Sequence, residues 1–396
     1  MIRRLHRALL ALVVALAAAG LIVILTQSPA SRLSSDFTIN YSAGVLVRQG
    51  HLVAPYQQAE LGEMMRRVAG GAIDPRLPFS LPLGAALPYA VLSLLPIEVA
   101  FRLWQLLTMV LLLVAVLVLQ RAAPLKFPPP LGEGRVGAAG LAMVGLLAAI
   151  PTWSTMNEGQ PTAWLFLGGA MVMLALRSDS PALAAGAGLL LAVKPQYVPP
   201  YLAVLFAARR WPSLVAAAAG AGLLSLSPLA GGVDGLSAMV HNALSANQVV
   251  AVRLNESWIG VVGPALPARV ATAVAIILYL GVLAALFVLA WRRPASIVGF
   301  AALAGALTVL ASPHALPHDV LILAVPAWLA IVLYRQRALP NPLVGLLAID
   351  LALLIDLPNL ELPLGPVVMT AVVAWYGWQF RQRAVQRRQS PVGRAA

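Results

Sequence analysis

Apolar runs long enough to cross a bilayer recur along the whole chain. Examples are 8–25, 101–119 and 270–290, and a helix needs about 20 such residues to span the hydrocarbon core. Because 60% of the residues are hydrophobic and only 10% are charged, the composition excludes a soluble globular domain. The alternating pattern of a membrane barrel is absent. The sequence therefore predicts an all-α polytopic membrane protein, with 1–396 as a single integral membrane domain.

The basic clusters predict the orientation, because Lys and Arg concentrate in cytoplasmic loops. They are Arg3/Arg4/Arg7, Arg121/Lys126/Arg135, Arg177, Arg209/Arg210, Arg292/Arg293, Arg335/Arg337 and Arg381–Arg388. Keeping all of them inside predicts about twelve crossings with both termini cytoplasmic. The predicted crossings are 8–25, 98–119, 137–152, 161–176, 181–193, 196–208, 213–229, 269–290, 295–311, 319–334, 341–356 and 365–380.

This topology predicts two long extracytoplasmic loops, at 26–97 and 230–268, and a basic cytoplasmic tail at 381–396. The proline-punctuated segment Leu77–Pro96 is predicted to be re-entrant or to lie on the outer surface. Counting it as a crossing would place the later arginine pairs outside, whereas a proline-broken helix is tolerated at membrane depth when protein covers it.

Composition also limits the chemistry. The chain has no cysteine, so it has no disulfide and no thiolate nucleophile. It contains no P-loop, no dinucleotide-binding glycine motif and no HExxH, which predicts that no nucleotide cofactor and no metal are needed. The net charge of +13 is explained by the topology, so a nucleic-acid partner is not predicted.

The unusual polar residues are predicted to converge on the extracytoplasmic face. They are Asp36, Tyr41, Asn157, Glu158, Gly159, Gln160, Lys194, Arg253, Asn255, Glu256, Ser257, His314, His318 and Asp319. Polar groups near a membrane interior are costly and are usually functional. A carboxylate can take a proton from an incoming hydroxyl, while fixed cations stabilise a leaving phosphate. This combination suits transfer of a group from a phosphate donor.

Several of these residues have structural alternatives. Asp36 follows two serines and could cap a loop helix, and Lys194 could be a boundary lysine that reaches toward water. Residues Asn157 to Gln160 could cap helix ends. Asp350 is either functional or bonded to a neighbouring helix. Among the tryptophans, only Trp258 is placed to stack on a sugar.

His314 and His318 are four residues apart and could bind a metal on one helical face. Pro313 and Pro317 interrupt that face, so the prediction is that no metal binds there.

Six motifs, in order, carry a family resemblance. They are DFTINYSAGVLVRQGHLVAPY, LPLGAALPYAVLSLLPIEVAFRLWQ, NEGQPT, AVKPQYVPPYLAVLFAARRW, NESWIG and SPHALPHDVLILAVP. With them, most of the chain resembles the bacterial polyprenyl-phosphate-sugar-dependent glycosyltransferases of family 87, within the glycosyltransferase-C superfamily. That family includes mannosyltransferases that act on membrane lipids.

The resemblance implies a glycosyltransferase-C-type bundle with a long first extracytoplasmic loop. It implies that Asp36 is the general base of an inverting transfer and that His318 lies near the donor phosphate or the acceptor. The donor would be mannose, or another hexose or pentose, on a polyprenyl phosphate, and the acceptor a lipid or glycan outside a bacterial inner membrane. The other expected donor- or acceptor-binding residues are Tyr41, Gln160, Lys194, Arg253, Asn255, Ser257 and Trp258.

Two other function classes remain open from the residues alone. A flippase or other transporter of lipid-linked saccharides would also carry polar groups at membrane depth, but near the midplane. A non-catalytic subunit of an envelope-assembly pathway is the third possibility.

Overall fold

The structure, a computed structural model, describes residues 2–125, 134–249, 254–356 and 364–389. Within these ranges every regular element is a helix. The first helices are α1 (Ile2–Thr26), α2 (Pro29–Leu33), α3 (Asp36–Arg48), α4 (Gln58–Ala69), α5 (Leu87–Leu92), α6 (Ile97–Ala122), α7 (Gly134–Ala148) and α8 (Ile150–Glu158). The middle helices are α9 (Thr162–Ser178), α10 (Pro181–Leu191), α11 (Val198–Ala207), α12 (Trp211–Ser225), α13 (Gly232–Val249) and α14 (Trp258–Val262). The last are α15 (Ala268–Trp291), α16 (Ile297–Leu310), α17 (Ala324–Arg335), α18 (Leu343–Asp356) and α19 (Leu364–Gln389).

Four helical stretches in the described ranges are long and apolar enough to cross a membrane. They are Ile97–Ala122, Trp211–Ser245, Ala268–Trp291 and Pro317–Arg335. A fifth would be the bent pair α7 and α8. Shorter apolar helices occur at Ala11–Thr26, Leu83–Leu92, Thr162–Ser178, Pro181–Leu191 and Ile297–Leu310. The all-helical architecture is confirmed, while the number of about twelve crossings stays a prediction.

The outer surfaces of the longest helices are apolar. On α15, Ile277 and Leu280 are 68% and 56% exposed, and on α6 Leu106 is 61% exposed. Water-soluble monomers rarely show continuous apolar surface of this extent. The exposed leucines and isoleucines therefore indicate a membrane protein.

The predicted loop 230–268 contains two helices, α13 and α14. A 3-10 turn, Ser227–Gly231, joins α12 to α13, and the candidate span continues to Ser245. Pro228 does not end the helical path because it stands at the start of that turn, where a missing N–H removes no hydrogen bond.

The predicted crossing 137–152 falls on the bent pair α7 and α8, where the chain turns by 70°. Ala149 is extended and Pro151 follows in the first turn of α8. The Asp350 carboxylate accepts a hydrogen bond of 2.9 Å from the first N–H of α8, on Ile150. Of the two alternatives for Asp350, bonding to a neighbouring helix is the one observed.

The predicted loop 26–97 contains α2 to α5. Within it, the segment Leu77–Pro96 forms a 3-10 turn at Leu83–Ala86 followed by the short helix α5. It forms no helix of spanning length, as a re-entrant or surface element requires. Helix α5 packs on α3, the helix that begins with Asp36.

Helices α10 and α12 cross at very short backbone distance, next to the segment that carries Lys194. A Cβ atom on Gly188 would lie 1.9 Å from the Ala217 carbonyl oxygen, and one on Gly220 would lie 2.1 Å from the Ala185 oxygen. Small residues at such crossings let membrane helices pack through their backbones. The crossing holds α10 rigidly in the core.

Candidate active site

Asp36 stands at the first position of α3, at the end of a short turn. Ser35 is the extended N-cap residue, so Asp36 itself is helical rather than the cap. Its carboxylate turns away from its own helix: Gln160 Nε2 donates to Asp36 Oδ2 at 2.6 Å. A carboxylate in the first turn is also favoured by the positive end of the helix.

The peptide that presents Gln160 is fixed by Gly159. This glycine ends α8 with a φ of 62°, a left-handed conformation in which a Cβ is strained. A Cβ there would also lie 2.6 Å from Cβ of Phe37, the residue after Asp36. The Glu158 carboxylate accepts a 3.3 Å hydrogen bond from the backbone N–H of Asp36. The NEGQ motif therefore holds both the backbone and the side chain of Asp36.

Lys194 projects from the end of α10 because Pro195 follows it. The residue before a proline is driven out of the helical region, and Lys194 is extended, with φ −126° and ψ 93°. Its Nζ lies 2.5 Å from Asp319 Oδ1. The side chains are 9% and 0% exposed, so the lysine is part of a buried ion pair rather than a boundary residue reaching into water.

His318 belongs to the same buried group. Its Nε2 faces Lys194 Nζ at 3.4 Å and lies 3.7 Å from Asp319 Oδ1. The backbone N–H of Leu316 donates to Asp319 Oδ2 at 3.2 Å, which fixes the carboxylate at the start of the 3-10 turn Pro317–Leu323. Each Asp319 oxygen thus has a partner, as a buried charge requires.

The Asp36 carboxylate and the ion pair form one electrostatic unit. Removal from water raises the pKa of Asp36 most, the Gln160 hydrogen bond and the Lys194 charge lower it, and the Asp319 charge raises it. The net direction is upward, which makes Asp36 a better base than an aspartate in water. Helix α8 connects the two groups. It ends beside Gln160, which binds Asp36, and its Thr155 Oγ1 donates to the His318 carbonyl at 3.2 Å.

Residues of the predicted loop 230–268 form hydrogen bonds with the segment before His318. Ala315 N–H donates to Asn255 Oδ1 at 2.8 Å, and Glu256 N–H donates to the Ala315 carbonyl at 2.6 Å. Asn255 is 1% exposed. It therefore lies against the backbone of the segment before His318 rather than in an open cleft.

Three of the predicted binding residues lie elsewhere. Tyr41 packs against Phe37 and donates its hydroxyl proton to the Leu95 carbonyl at 2.7 Å. The Trp258 indole N–H donates to Thr370 on α19 at 2.8 Å. Ser257 is fully buried, and its Oγ finds no hydrogen-bond partner among the described residues. The structure does not bring these side chains to Asp36.

Arg253, the remaining predicted binding residue, lies outside the described residues.

His314 does not join the buried group as a cation. Burial and then the positive charge of Lys194 lower its pKa to about 4, so the imidazole is neutral near pH 7. Among the described residues, no three His, Asp or Glu side chains are grouped so that they could hold a metal ion.

Asp319 and Glu158 were predicted to lie on the same face as the site, but no catalytic or binding role was predicted for either of them. Both were visible as polar residues beside a motif residue, one next to His318 and the other two residues before Gln160. Their roles depend on contacts across more than 120 residues of sequence, which no local pattern reveals.

The profile of Glycosyltransferase family 87 matches residues 79–313, more than half of the 396-residue chain. Glu158, Gln160 and Lys194 lie inside the matched range, whereas Asp36 and His318 lie outside it. Comparison with curated proteins finds no match. On the strength of the profile match, the chain belongs to glycosyltransferase family 87.

Proposed function

We propose that the protein is an inverting glycosyltransferase that takes a sugar from a polyprenyl phosphate and attaches it to a lipid or glycan acceptor. The observation that carries the proposal is the Asp36 carboxylate, held by Gln160 and coupled to the Lys194–Asp319 ion pair and His318. Family membership supplies the reaction class, and the absence of a nucleotide-binding motif from the sequence favours a lipid-linked donor.

In the proposed reaction, the acceptor hydroxyl oxygen attacks the anomeric carbon and its proton passes to Asp36. The bond between that carbon and the phosphate oxygen breaks on the opposite side, and its electrons leave with the polyprenyl phosphate. Attack opposite the leaving group inverts the anomeric configuration. The raised pKa of Asp36 suits it to accept the proton during the transfer.

Lys194 is the proposed contact for the leaving phosphate. An ammonium group has three N–H donors, and in the structure two directions are taken by Asp319 and His318. The third direction would serve a phosphate oxygen. Because the ion pair is preformed and buried, the ammonium would need little reorganisation when charge develops on the phosphate.

On this proposal the site faces the extracytoplasmic side of a bacterial inner membrane, both termini are cytoplasmic, and the bundle is of the glycosyltransferase-C type with about twelve crossings. The partners are membrane lipids, the polyprenyl-phosphate sugar and the acceptor. Convergence of the acid, amide and ion pair at one end of α8 favours an enzyme over a transporter, whose sites lie near the midplane.

The test is direct transfer by the purified protein. Radiolabelled mannosyl, other hexosyl and pentosyl polyprenyl phosphates are incubated with extracted membrane lipids, and labelled products are separated by chromatography. We expect one donor to give product and Asp36→Asn to reduce the rate by about 10² or more. Glu60→Gln, an exposed carboxylate on α4, is the matched control. Equal turnover by wild type and Asp36→Asn would exclude Asp36 as the base.

A further inference from the structure

A groove lies along α16, away from Asp36. It has a volume of about 400 Å³ and runs between α16 and α17 on one side and the α18–α19 pair on the other. This volume falls in the range of small-molecule pockets. Among the described residues that line it, only Arg292, Ser296 and Tyr376 have polar side chains. The Tyr376 hydroxyl already donates to the Asn341 carbonyl at 2.6 Å, so the interior offers an apolar surface.

The groove has the length of one lipid chain in one leaflet. It follows α16 from Gly299 to Leu310, a distance of roughly 17 Å at the rise of an α-helix. Half of the hydrocarbon core is about 15 Å thick. An extended acyl chain entering at the Gly299 end would therefore remain within its own leaflet.

Positive charge collects at the Gly299 end only. Arg292 lines the groove there, and the flanking segments add Arg293, Arg335, Arg337, Arg381 and Arg383. The segments 289–299, 331–346 and 372–383 contain no Asp or Glu, and in the described ranges none of these six arginines belongs to an ion pair. At the far end the lining residues, among them Leu310 and Leu323, are apolar.

We propose that this groove binds an acyl chain of an anionic glycerophospholipid, with the lipid phosphate beside Arg292 and the N-terminus of α16. Basic pockets between membrane helices recognise anionic headgroups in this way, and the start of a helix adds positive potential. The acyl chain of the lipid would fill the space that separates the α18–α19 pair from the bundle. The inference is independent of the proposed transfer reaction, because it uses none of the residues around Asp36.

Native mass spectrometry of the full-length protein in detergent tests the proposal with phosphatidylglycerol and phosphatidylcholine as probes. We expect the wild type to retain phosphatidylglycerol preferentially. Arg292→Gln should weaken that binding about fivefold, the effect of one basic contact. Arg269→Gln is the matched control, because Arg269 is exposed at the opposite end of the same helix, α15. Equal retention of the two lipids, or equal weakening by both substitutions, would overturn the role of the arginine.

The apolar part is tested by filling the groove. Ala302 is half-buried and lines it, so Ala302→Phe should displace phosphatidylglycerol, whereas Ala285→Phe on the exposed surface of α15 should not. Ala327→Leu, on the α17 wall, repeats the test if Ala302→Phe fails to fold. Undiminished binding by a folded groove variant would overturn the proposal. Displacement of phosphatidylglycerol by polyprenyl phosphate at equal concentration would also overturn it, because the groove would then belong to the donor.

Discussion

At the scale of single residues, Asp36 is controlled by neighbours that act in opposite directions. Gln160 stabilises the ionised carboxylate through a hydrogen bond, and Lys194 does so through its charge, whereas Asp319 and burial favour the protonated form. If transfer requires ionised Asp36, the rate falls as pH drops through the pKa of this group. The acidic limb of the rate profile then reports the electrostatics of the site.

Gln160→Ala should move the acidic limb of kcat/KM to higher pH. The substitution removes a hydrogen bond that lowers the pKa of Asp36, so more of the base is protonated at a given pH. The measurement is the transfer rate between pH 4 and 8 for the variant and the wild type. An unchanged limb, with only a lower plateau, would show that Gln160 orients the substrate rather than adjusting the base.

Asp319→Asn should move the same limb in the opposite direction. Loss of a negative charge that raises the pKa of Asp36 leaves the carboxylate ionised at lower pH. Because Lys194 also loses its partner, kcat should fall even on the plateau. A shift to higher pH would contradict the charge arrangement, whereas a lower plateau with an unmoved limb would indicate a purely structural role.

His318→Ala should lower transfer at least tenfold more than His314→Ala. His318 faces the Lys194 ammonium at 3.4 Å, where one well-placed group is commonly worth a factor of 10² in rate. The expected difference rests on this contact with Lys194 and not on the charge of either imidazole. The two single variants are compared for kcat with the same donor; equal losses would point to a shared structural role.

Not all of this site was predictable from the residues. The motif around Asp36 and the NEGQ segment indicated a base with an amide nearby. The buried partner of Lys194 was not predictable, because an ion pair between positions 194 and 319 forms only when α10 and the turn before α17 pack together. Tyr41 lies five residues after Asp36, whereas side chains on one helical face recur at three or four residues, and its hydroxyl contacts the Leu95 carbonyl.

At the scale of helices, backbone contact between α10 and α12 positions Lys194. Gly188→Ala should destabilise the protein because its new Cβ would meet the Ala217 carbonyl oxygen, and overpacking of this kind costs about 1–3 kcal/mol. Gly222→Ala, on α12 with no atom within 4 Å of its Cβ position, should be neutral or stabilising because alanine favours helices. Thermal unfolding in detergent compares the two; equal midpoints would contradict the close crossing.

Helix boundaries were the least predictable feature at this scale. Hydropathy predicts one crossing over 137–152 but does not show that the chain bends by 70° before Ile150. It also does not show that a helical path continues beyond residue 229. Proline acts at both places: Pro151 and Pro228 each occupy the first turn of the following segment, where proline starts a helix as readily as it ends one.

At the scale of the whole molecule, composition was sufficient for the all-helical membrane class, but assembly of the site required long-range packing. The described loop beginning at Leu254 is an example. Its Asn255 accepts a hydrogen bond from Ala315, in the segment before His318, and its Trp258 donates one to Thr370 on α19. Glu256 in this loop approaches the first turn of α19, where its carboxylate lies against Gly365. The packing of α19 on the bundle is therefore connected to the segment before His318.

Glu256 should make the stability of this connection depend on pH. Burial, followed by the negative charge of Asp356, raises the pKa of Glu256 from 4.5 to about 8. Below pH 4.5 both folded and unfolded chains carry the proton. Between pH 4.5 and 8 the unfolded chain ionises while the folded protein stays protonated, so the free energy of unfolding falls as pH rises, by up to about 1.4 kcal/mol per unit. Above pH 8 the loss is complete.

Glu256→Gln should flatten this profile, because glutamine has the same shape and does not ionise. Unfolding by heat is measured in detergent at pH 5, 6, 7 and 8, and the midpoint of the variant should rise relative to the wild type as pH increases. The exposed Glu60→Gln controls for a change in net charge. Parallel profiles for wild type and Glu256→Gln would mean that the carboxyl group is hydrated when α19 is packed. A flattened profile would show that Glu256 is the group responsible and that it is protonated when buried against α19.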